Sequence, residues 1–238
     1  MKKKVVLFHG TASTFGKKIN IAPLALLHIS SFLVKDGFEV KIISESLHED
    51  YLRQTVRECE DAVCLGITAM TGNQIADGLN IAKLVKEKFR NLPIVWGGWH
   101  PSILPESTLA DPYVDMLIIG QGQRSFYELV KTLYNGEAKN FERINGLAYK
   151  KDRHLVYNKN VLIESLDNFP TAPYHIIDVN KTLIKTDNEL LAKAYVISVG
   201  INANVNGIYE ILKTRAASGL GIEVNETNQY GLASFFIN

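Results

Sequence analysis

The sequence predicts an α/β protein whose main body is a doubly wound, five-stranded parallel sheet, and three observations carry that prediction. Short apolar runs rich in β-branched residues recur through the first 135 residues. Amphipathic stretches with apolar residues three or four apart lie between them. Between Pro93 and Val130, two of the runs empty directly into glycine-rich loops. Strands buried on both faces read as continuous apolar runs, and right-handed helical crossovers join such strands in parallel.

In chain order, the first strand is Lys4 to His9 (KVVLFH). Leu24 to Val34 (LALLHISSFLV) follows as an amphipathic helix, ended by Asp36-Gly37, because glycine accepts the left-handed conformation that closes a helix. Glu39 to Ile43 (EVKII) and Ala62 to Ile67 (AVCLGI) supply the second and third strands. Gln74 to Phe89 is the second clear helix, stopped at Asn91-Leu92-Pro93. Pro93 to Trp96 and Asp115 to Ile119 complete five strands, for which the flavodoxin-like order 2-1-3-4-5 is the natural arrangement.

Beyond Asn135 the texture changes. Ile144 to Tyr149 and Leu155 to Tyr157 flank Lys151-Asp152-Arg153 and read as a hairpin. Asn158 to Leu190 is a polar connection marked by Pro170 and Pro173, which reads as a linker. After it come a strand at Ala194 to Ser198, helical stretches at Ile208 to Arg215 and Ile222 to Tyr230, and a strand at Ala233 to Ile237. The expected organisation is therefore a sheet domain over 1–140, a hairpin and linker over 141–190, and an incomplete β-α-β piece over 191–238.

Composition restricts the function classes. A formal net charge of +1 carries no polyanion signature, so no nucleic-acid partner is expected. No apolar run approaches the roughly 18 residues needed to cross a bilayer, and Lys2 to Lys4 precede a strand rather than a signal core. The expectation is a soluble cytoplasmic protein without a membrane partner. Cys59 and Cys64, the two cysteines, suggest neither a disulfide framework nor a metal site and read as buried thiols.

The strand ends carry the functional signal. In a parallel sheet, ligands sit outside the carboxyl ends of the strands. Here those ends bear Thr68 and Thr71, then Gly97-Gly98, then Gly120-Gln121-Gly122. The loop after the first strand, His9 to Gly16, lacks the dinucleotide glycine spacing, and no Walker sequence is present. The acidic residues of a phosphoacceptor site are also missing, since these positions hold Phe8, His9 and Thr68. Small residues where a ligand crosses the strand ends, hydroxyls for its polar atoms and the flat ring of Trp99 suit a bulky planar ligand with a long polar tail.

The ordered set Pro23-Leu24-Ala25-Leu26-Leu27, Gly66-Ile67-Thr68, Gly97-Gly98-Trp99-His100-Pro101, Leu104-Pro105-Glu106 and Gly120-Gln121-Gly122-Gln123 resembles the cobalamin-binding domain of B12-dependent radical S-adenosylmethionine enzymes over about residues 1 to 190. The resemblance implies a Rossmann-like sheet with the corrin over its carboxyl edge and the nucleotide tail inserted into the sheet. It places Thr68 and Thr71 at the tail pocket, Gly97 and Gly98 along the tail's path, Gly120 and Gly122 beside it, and Trp99 and His100 among the cofactor contacts. An acidic residue is usual in the family where Gln121 or Gln123 stands, and glutamine keeps the hydrogen-bonding capacity.

Other cobalamin proteins take a lower axial histidine from an Asp-x-His-x-x-Gly sequence after the first strand, which is absent here. The expectation is base-off cobalamin without a protein histidine on cobalt, with structural roles for His28, His48, His154 and His175. Ile197 to Gly200 followed by Asn202, Asn206 and Tyr209 resembles the segment that carries the three cluster cysteines of the family's catalytic barrel, with every cysteine replaced. Amides and a phenol are poor replacements for thiolates, so no 4Fe-4S cluster is expected. The reading is a cobalamin-binding protein with a truncated barrel that does not perform radical catalysis by itself. Its C-terminal piece is read first as a remnant, loosely ordered or held in an oligomer contact, and second as strands that pair with another chain supplying the missing barrel. The rival reading is an α/β interaction or regulatory module that binds no corrin.

Overall fold

A computed structural model describes residues 2–11, 22–151 and 154–182, with short strand pieces at 13–14, 17–18, 184–185, 191–195, 222–224 and 235–237. The main sheet is formed by β1 (Lys4–His9), β2 (Glu39–Ser44), β3 (Leu65–Thr68), β4 (Ile94–Gly97), β5 (Met116–Ile118), β6 (Leu147–Lys151) and β7 (His154–Tyr157). Their spatial order is β2-β1-β3-β4-β5-β6-β7. The first five are parallel in the expected 2-1-3-4-5 arrangement, and β6 and β7 extend the sheet antiparallel from β5.

Among the described residues, six α-helices cover the two faces: α1 (Leu24–Lys35), α2 (Tyr51–Glu58), α3 (Asn73–Lys88), α4 (Trp99–Ile103), α5 (Pro105–Ala110) and α6 (Gln123–Tyr134). Side chains alternate between faces along a strand, so each parallel strand feeds two cores. Val5, Leu7, Cys64, Val95 and Ile118 pack with Leu26 and Leu33 of α1 and with Phe126, Leu129 and Val130 of α6. Val6, Phe8, Leu65, Ile67, Ile94, Trp96 and Leu117 pack with Ile81, Ala82 and Val85 of α3 and Leu109 of α5.

Local sequence sets the ends of these elements. Helix α1 stops at Gly37, which has φ of 74°. The Gly37 amide donates to the Val34 carbonyl at 3.0 Å and the Phe38 amide to the Leu33 carbonyl at 2.9 Å, the paired bonds of a Schellman stop. The third strand starts at Leu65 rather than at Ala62, because Asp61 takes φ of 61° and turns the chain immediately before Ala62. In α6, Phe126, Leu129, Val130 and Leu133 recur at helical spacing and point to the core.

The segment expected to be a linker is instead packed along the α1/α6 side. Asn158 donates from Nδ2 to the carbonyls of Phe141 and Ile144, and the Gly146 amide donates to the Lys159 carbonyl. Phe169 meets the Phe32 ring edge-on at 5.8 Å, Ala172 is buried in the core, and Lys181 Nζ donates to the Leu47 carbonyl at 2.9 Å. Residues 158–182 thus form a strap that crosses from the β6 side of the sheet to the end of β2.

The C-terminal strand pieces pair differently from the single β-α-β step expected. Leu191–Tyr195 and Ile222–Val224 both run antiparallel to Phe235–Ile237, whereas a β-α-β step would return in parallel. Ile222 and Val224 place β-branched residues two apart, which favours the strand found there over the helix expected from Ile222. Asn202, Asn206 and Tyr209 lie outside the described residues. Among the described residues, no helix is long and apolar enough to cross a membrane.

Candidate functional site

A cavity of about 570 Å³ opens between the sheet and the α1/α6 layer. Its sheet wall uses the positions that face these helices: Leu7 of β1, Gly66 and Thr68 of β3, Val95 and Gly97 of β4, and Ile118 of β5. Register sets Leu7, Gly66 and Val95 side by side, with Thr68 beside Gly97 one row nearer the carboxyl edge. Helix α1 supplies Leu24, Ala25, His28 and Ile29 to the opposite wall, and α6 supplies Gln123 and Phe126. The cavity walls are predominantly apolar, and glycines interrupt the sheet surface where larger residues would fill it.

Gly66 decides the depth of this slot. Glycine inside a strand weakens the strand and marks a place of close approach. A Cβ on Gly66 would lie 2.7 Å from Leu7 Cδ2 and 3.2 Å from Phe126 Cζ, so those two flexible side chains form the floor over the bare backbone. At the rim, a Cβ on Gly122 would lie 3.1 Å from Ile118 Cγ2 and 3.2 Å from Ile29 Cδ1. Gly120, with φ of 82°, has no atom within 4 Å of a Cβ position among the described residues.

Backbone bonds lace the loops at the carboxyl edge together. The Ala69 amide donates to the Gly97 carbonyl at 3.0 Å, and the His100 amide donates to the Ala69 carbonyl at 3.1 Å. Ser102 Oγ donates to the Gly98 carbonyl at 2.8 Å and accepts from the Gly120 amide at 3.1 Å, joining the loops after β4 and β5. Behind them the Gln121 amide pairs with the Glu164 backbone in both directions, at 3.0 and 2.7 Å, while Arg124 holds the Glu164 carboxylate with two bonds. The Arg124 guanidinium holds that carboxyl below its ordinary range.

Of the expected site residues, Thr68, Gly97, Gly98, Gly120 and Gly122 come together around the cavity. Thr71, Trp99 and His100 do not line it. Thr71 is exposed and its hydroxyl meets His100 Nδ1 at 3.3 Å, and Trp99 stands 70% exposed on the edge. Met70 and Ile103 are exposed nearby in sequence, on the loop after β3 and on α4, so the edge presents apolar side chains outside the cavity. Trp96 points to the other face, into the α3 core.

Reading by strand ends missed the helix wall. His28 was expected to be structural, yet it lines the cavity, and burial pushes its imidazole below the ordinary value. Gly66 was legible as a glycine inside an apolar run, and its place in the cavity follows from parity with Thr68. The cysteines are buried as expected: burial raises the Cys59 thiol to about 12 and moves Cys64 in the same direction. Among the described residues, no group of three or more His, Cys, Asp or Glu side chains could hold a metal ion.

A parallel sheet in 2-1-3-4-5 order with a glycine-cut slot at its carboxyl edge defines a Rossmann-like ligand-binding domain. Residues 18–130 match the B12-binding domain family. The chain is 31% identical over 165 residues to an uncharacterized methyltransferase of Pyrococcus horikoshii, covering 67% of this chain and 35% of that protein. It is 25% identical over 170 residues to cytidylyl-2-hydroxyethylphosphonate methyltransferase of Streptomyces wedmorensis, covering 62% and 31%. The chain therefore spans about a third of the length of these curated relatives.

Two solved structures share the fold. The radical S-adenosylmethionine methyltransferase TsrM of Kitasatospora setae, with cobalamin and a 4Fe-4S cluster bound, aligns at TM-score 0.56 and 19% identity over 72% of this chain and 31% of that one. The cobalamin-dependent S-adenosylmethionine radical enzyme OxsB, with aqua-cobalamin bound, aligns at 0.54 and 18% over 68% and 23%. At these identities the likeness is one of fold, shared by this chain with part of each of the two enzymes.

Proposed function

We propose that the chain binds cobalamin in the base-off form, with the nucleotide tail in the slot between the sheet and α1/α6 and the corrin over the carboxyl edge. The observation that carries this reading is the slot itself, lined by Gly66, Gly97 and Gly122 among apolar side chains at the edge where parallel sheets receive ligands. Its volume of about 570 Å³ lies within the usual range of roughly 300 to 1,000 Å³ for small-molecule sites. Thr68 offers a hydroxyl at the mouth, and Met70, Trp99 and Ile103 offer exposed apolar contact to a flat ring.

Two further observations favour a cobalt without a histidine from this chain. Neither His9 nor His100 lines the slot, and the loop after β1 lacks the Asp-x-His-x-x-Gly sequence through which other cobalamin proteins supply an axial histidine. The exposed edge and the walls of the slot hold, orient and shield the cofactor. Bound cobalamin supplies a cobalt centre suited to methyl transfer, and the relatives named above point to methyltransferase chemistry for the whole system. In the sequence, Asn202, Asn206 and Tyr209 stand where thiolates would be needed, so the chain is proposed to assemble no 4Fe-4S cluster itself.

Hydroxocobalamin mixed with the purified protein and then desalted tests the reading. The protein fraction should retain the visible absorption of the corrin in about equimolar amount, with the spectrum of the base-off form. Loss of the corrin on desalting would refute the proposal and favour an interaction module with the same fold. Anaerobic reconstitution with iron and sulfide should give no stoichiometric cluster by Mössbauer spectroscopy, and a stoichiometric signal would overturn the assignment of 202, 206 and 209.

A further inference from the structure

The helix wall of the cavity carries a titratable ring that neither glycine spacing nor apolar packing explains. His28 sits on α1, one helical turn after Leu24, in a wall it shares with Ala25 and Ile29 and opposite Leu7, Val95 and Ile118. Its ring is half-buried and has no hydrogen-bond partner among the described residues. His9 and His100, by contrast, each engage a neighbouring group. A polar ring set into an apolar wall costs free energy unless something in the cavity answers its hydrogen-bonding groups.

We propose that His28 is the hydrogen-bonding contact for the heteroaromatic base at the end of the cofactor's nucleotide tail, and that it makes the slot select corrins carrying such a base. This rests on the tail occupying the slot. When the base is off cobalt, its free ring nitrogen carries a lone pair into a mostly apolar cavity, where it needs a donor. Burial favours the neutral imidazole, in which one ring nitrogen donates while the other accepts. The Thr68 hydroxyl, on the sheet wall and also without a partner among the described residues, is placed for the more polar part of the tail nearer the mouth. Base and linker are then recognised from opposite walls.

The test compares cobalamin with cobinamide, which has the same corrin ring and no nucleotide base, by equilibrium titration of the visible spectrum. The native protein should prefer cobalamin. His28→Phe keeps a flat ring of similar size and should weaken cobalamin by about five- to tenfold while leaving cobinamide unchanged. His28→Gln, which retains a donor, should recover part of that loss. Equal losses for both corrins in His28→Phe, or an unchanged cobalamin affinity, would overturn the role of His28 while leaving cobalamin binding itself intact. Failure of the native protein to bind either corrin would instead remove the slot assignment on which the inference depends. Native far-ultraviolet circular dichroism serves as the control that the variants are folded.

Discussion

Gly98 takes φ of 98°, and a Cβ there would lie 2.9 Å from both the Ala69 carbonyl oxygen and Thr68 Oγ1. Because the backbone oxygen is held by the His100 amide, the clash has no easy relief. Gly98→Val should therefore lower stability by about 1 to 3 kcal/mol through strain, rather than block a ligand in an otherwise unchanged fold. Gly66 is the cleaner probe, since the atoms that a Cβ would meet are the ends of Leu7 and Phe126. Gly66→Val should abolish corrin retention after desalting while the far-ultraviolet circular dichroism stays native. Retention equal to the native protein would mean that the tail does not pass over β3. At Thr68, replacement by valine keeps the shape and removes the hydroxyl, so cobalamin affinity should fall by about 0.5 to 1.5 kcal/mol in the same titration.

Helix α3 shows how packing reverses a local preference. Glycine inside a helix costs about 1 kcal/mol against alanine, so Gly78 taken alone would be improved by replacement. Its missing Cβ, however, would lie 2.6 Å from Cη2 of Trp96, whose ring is buried against α3, and 3.1 Å from Ile67 Cγ2. Overpacking of this sort typically costs about 1 to 3 kcal/mol, and a large rigid ring yields little. Gly78→Ala should therefore lower the urea midpoint, and a raised midpoint would show that Trp96 can move. The start of β5 is tied to β4 in a similar way by one carboxylate. Asp115 Oδ2 accepts from the Ile94 amide at 2.8 Å and from Lys86 Nζ at 2.7 Å.

Across the whole molecule, the 158–182 strap is coupled to the site loops through Gln121 and Arg124. Gln121 presents its side-chain amide to the Glu164 backbone as a neighbouring strand would, satisfying a donor and an acceptor together. Gln121→Ala should release that pairing and raise hydrogen exchange at the Glu164 amide, while the Val95 amide inside the parallel sheet keeps its protection. Exchange raised equally at both positions would mean that the strap and the sheet open as one unit. The loop glycines, the Ser102 bridge and the strap converge on the same edge of the sheet, which is where the proposed cofactor would sit.

The parallel sheet was legible because its strands announce themselves locally: β-branched apolar runs, helix stops at Gly37 and Pro93, and glycines at the strand ends are short-range signals. So were Thr68, Gly97, Gly98, Gly120 and Gly122, since a strand end and its loop are adjacent in the chain. Helix α6 carried its period in Phe126, Leu129, Val130 and Leu133, although the strand-and-glycine reading passed over it. The cavity's second wall was of another kind. His28 lies 38 residues from Gly66 and joins it only because α1 packs on one particular face of the sheet, a matter of register and parity rather than of spacing. The strap likewise could not be told from a linker, because its hold comes from distant partners such as Phe32 and Leu47. Local hydrogen bonding and side-chain sterics determine the elements in order, but which surfaces face one another across a cavity is decided only when the sheet, its crossovers and its strap pack together.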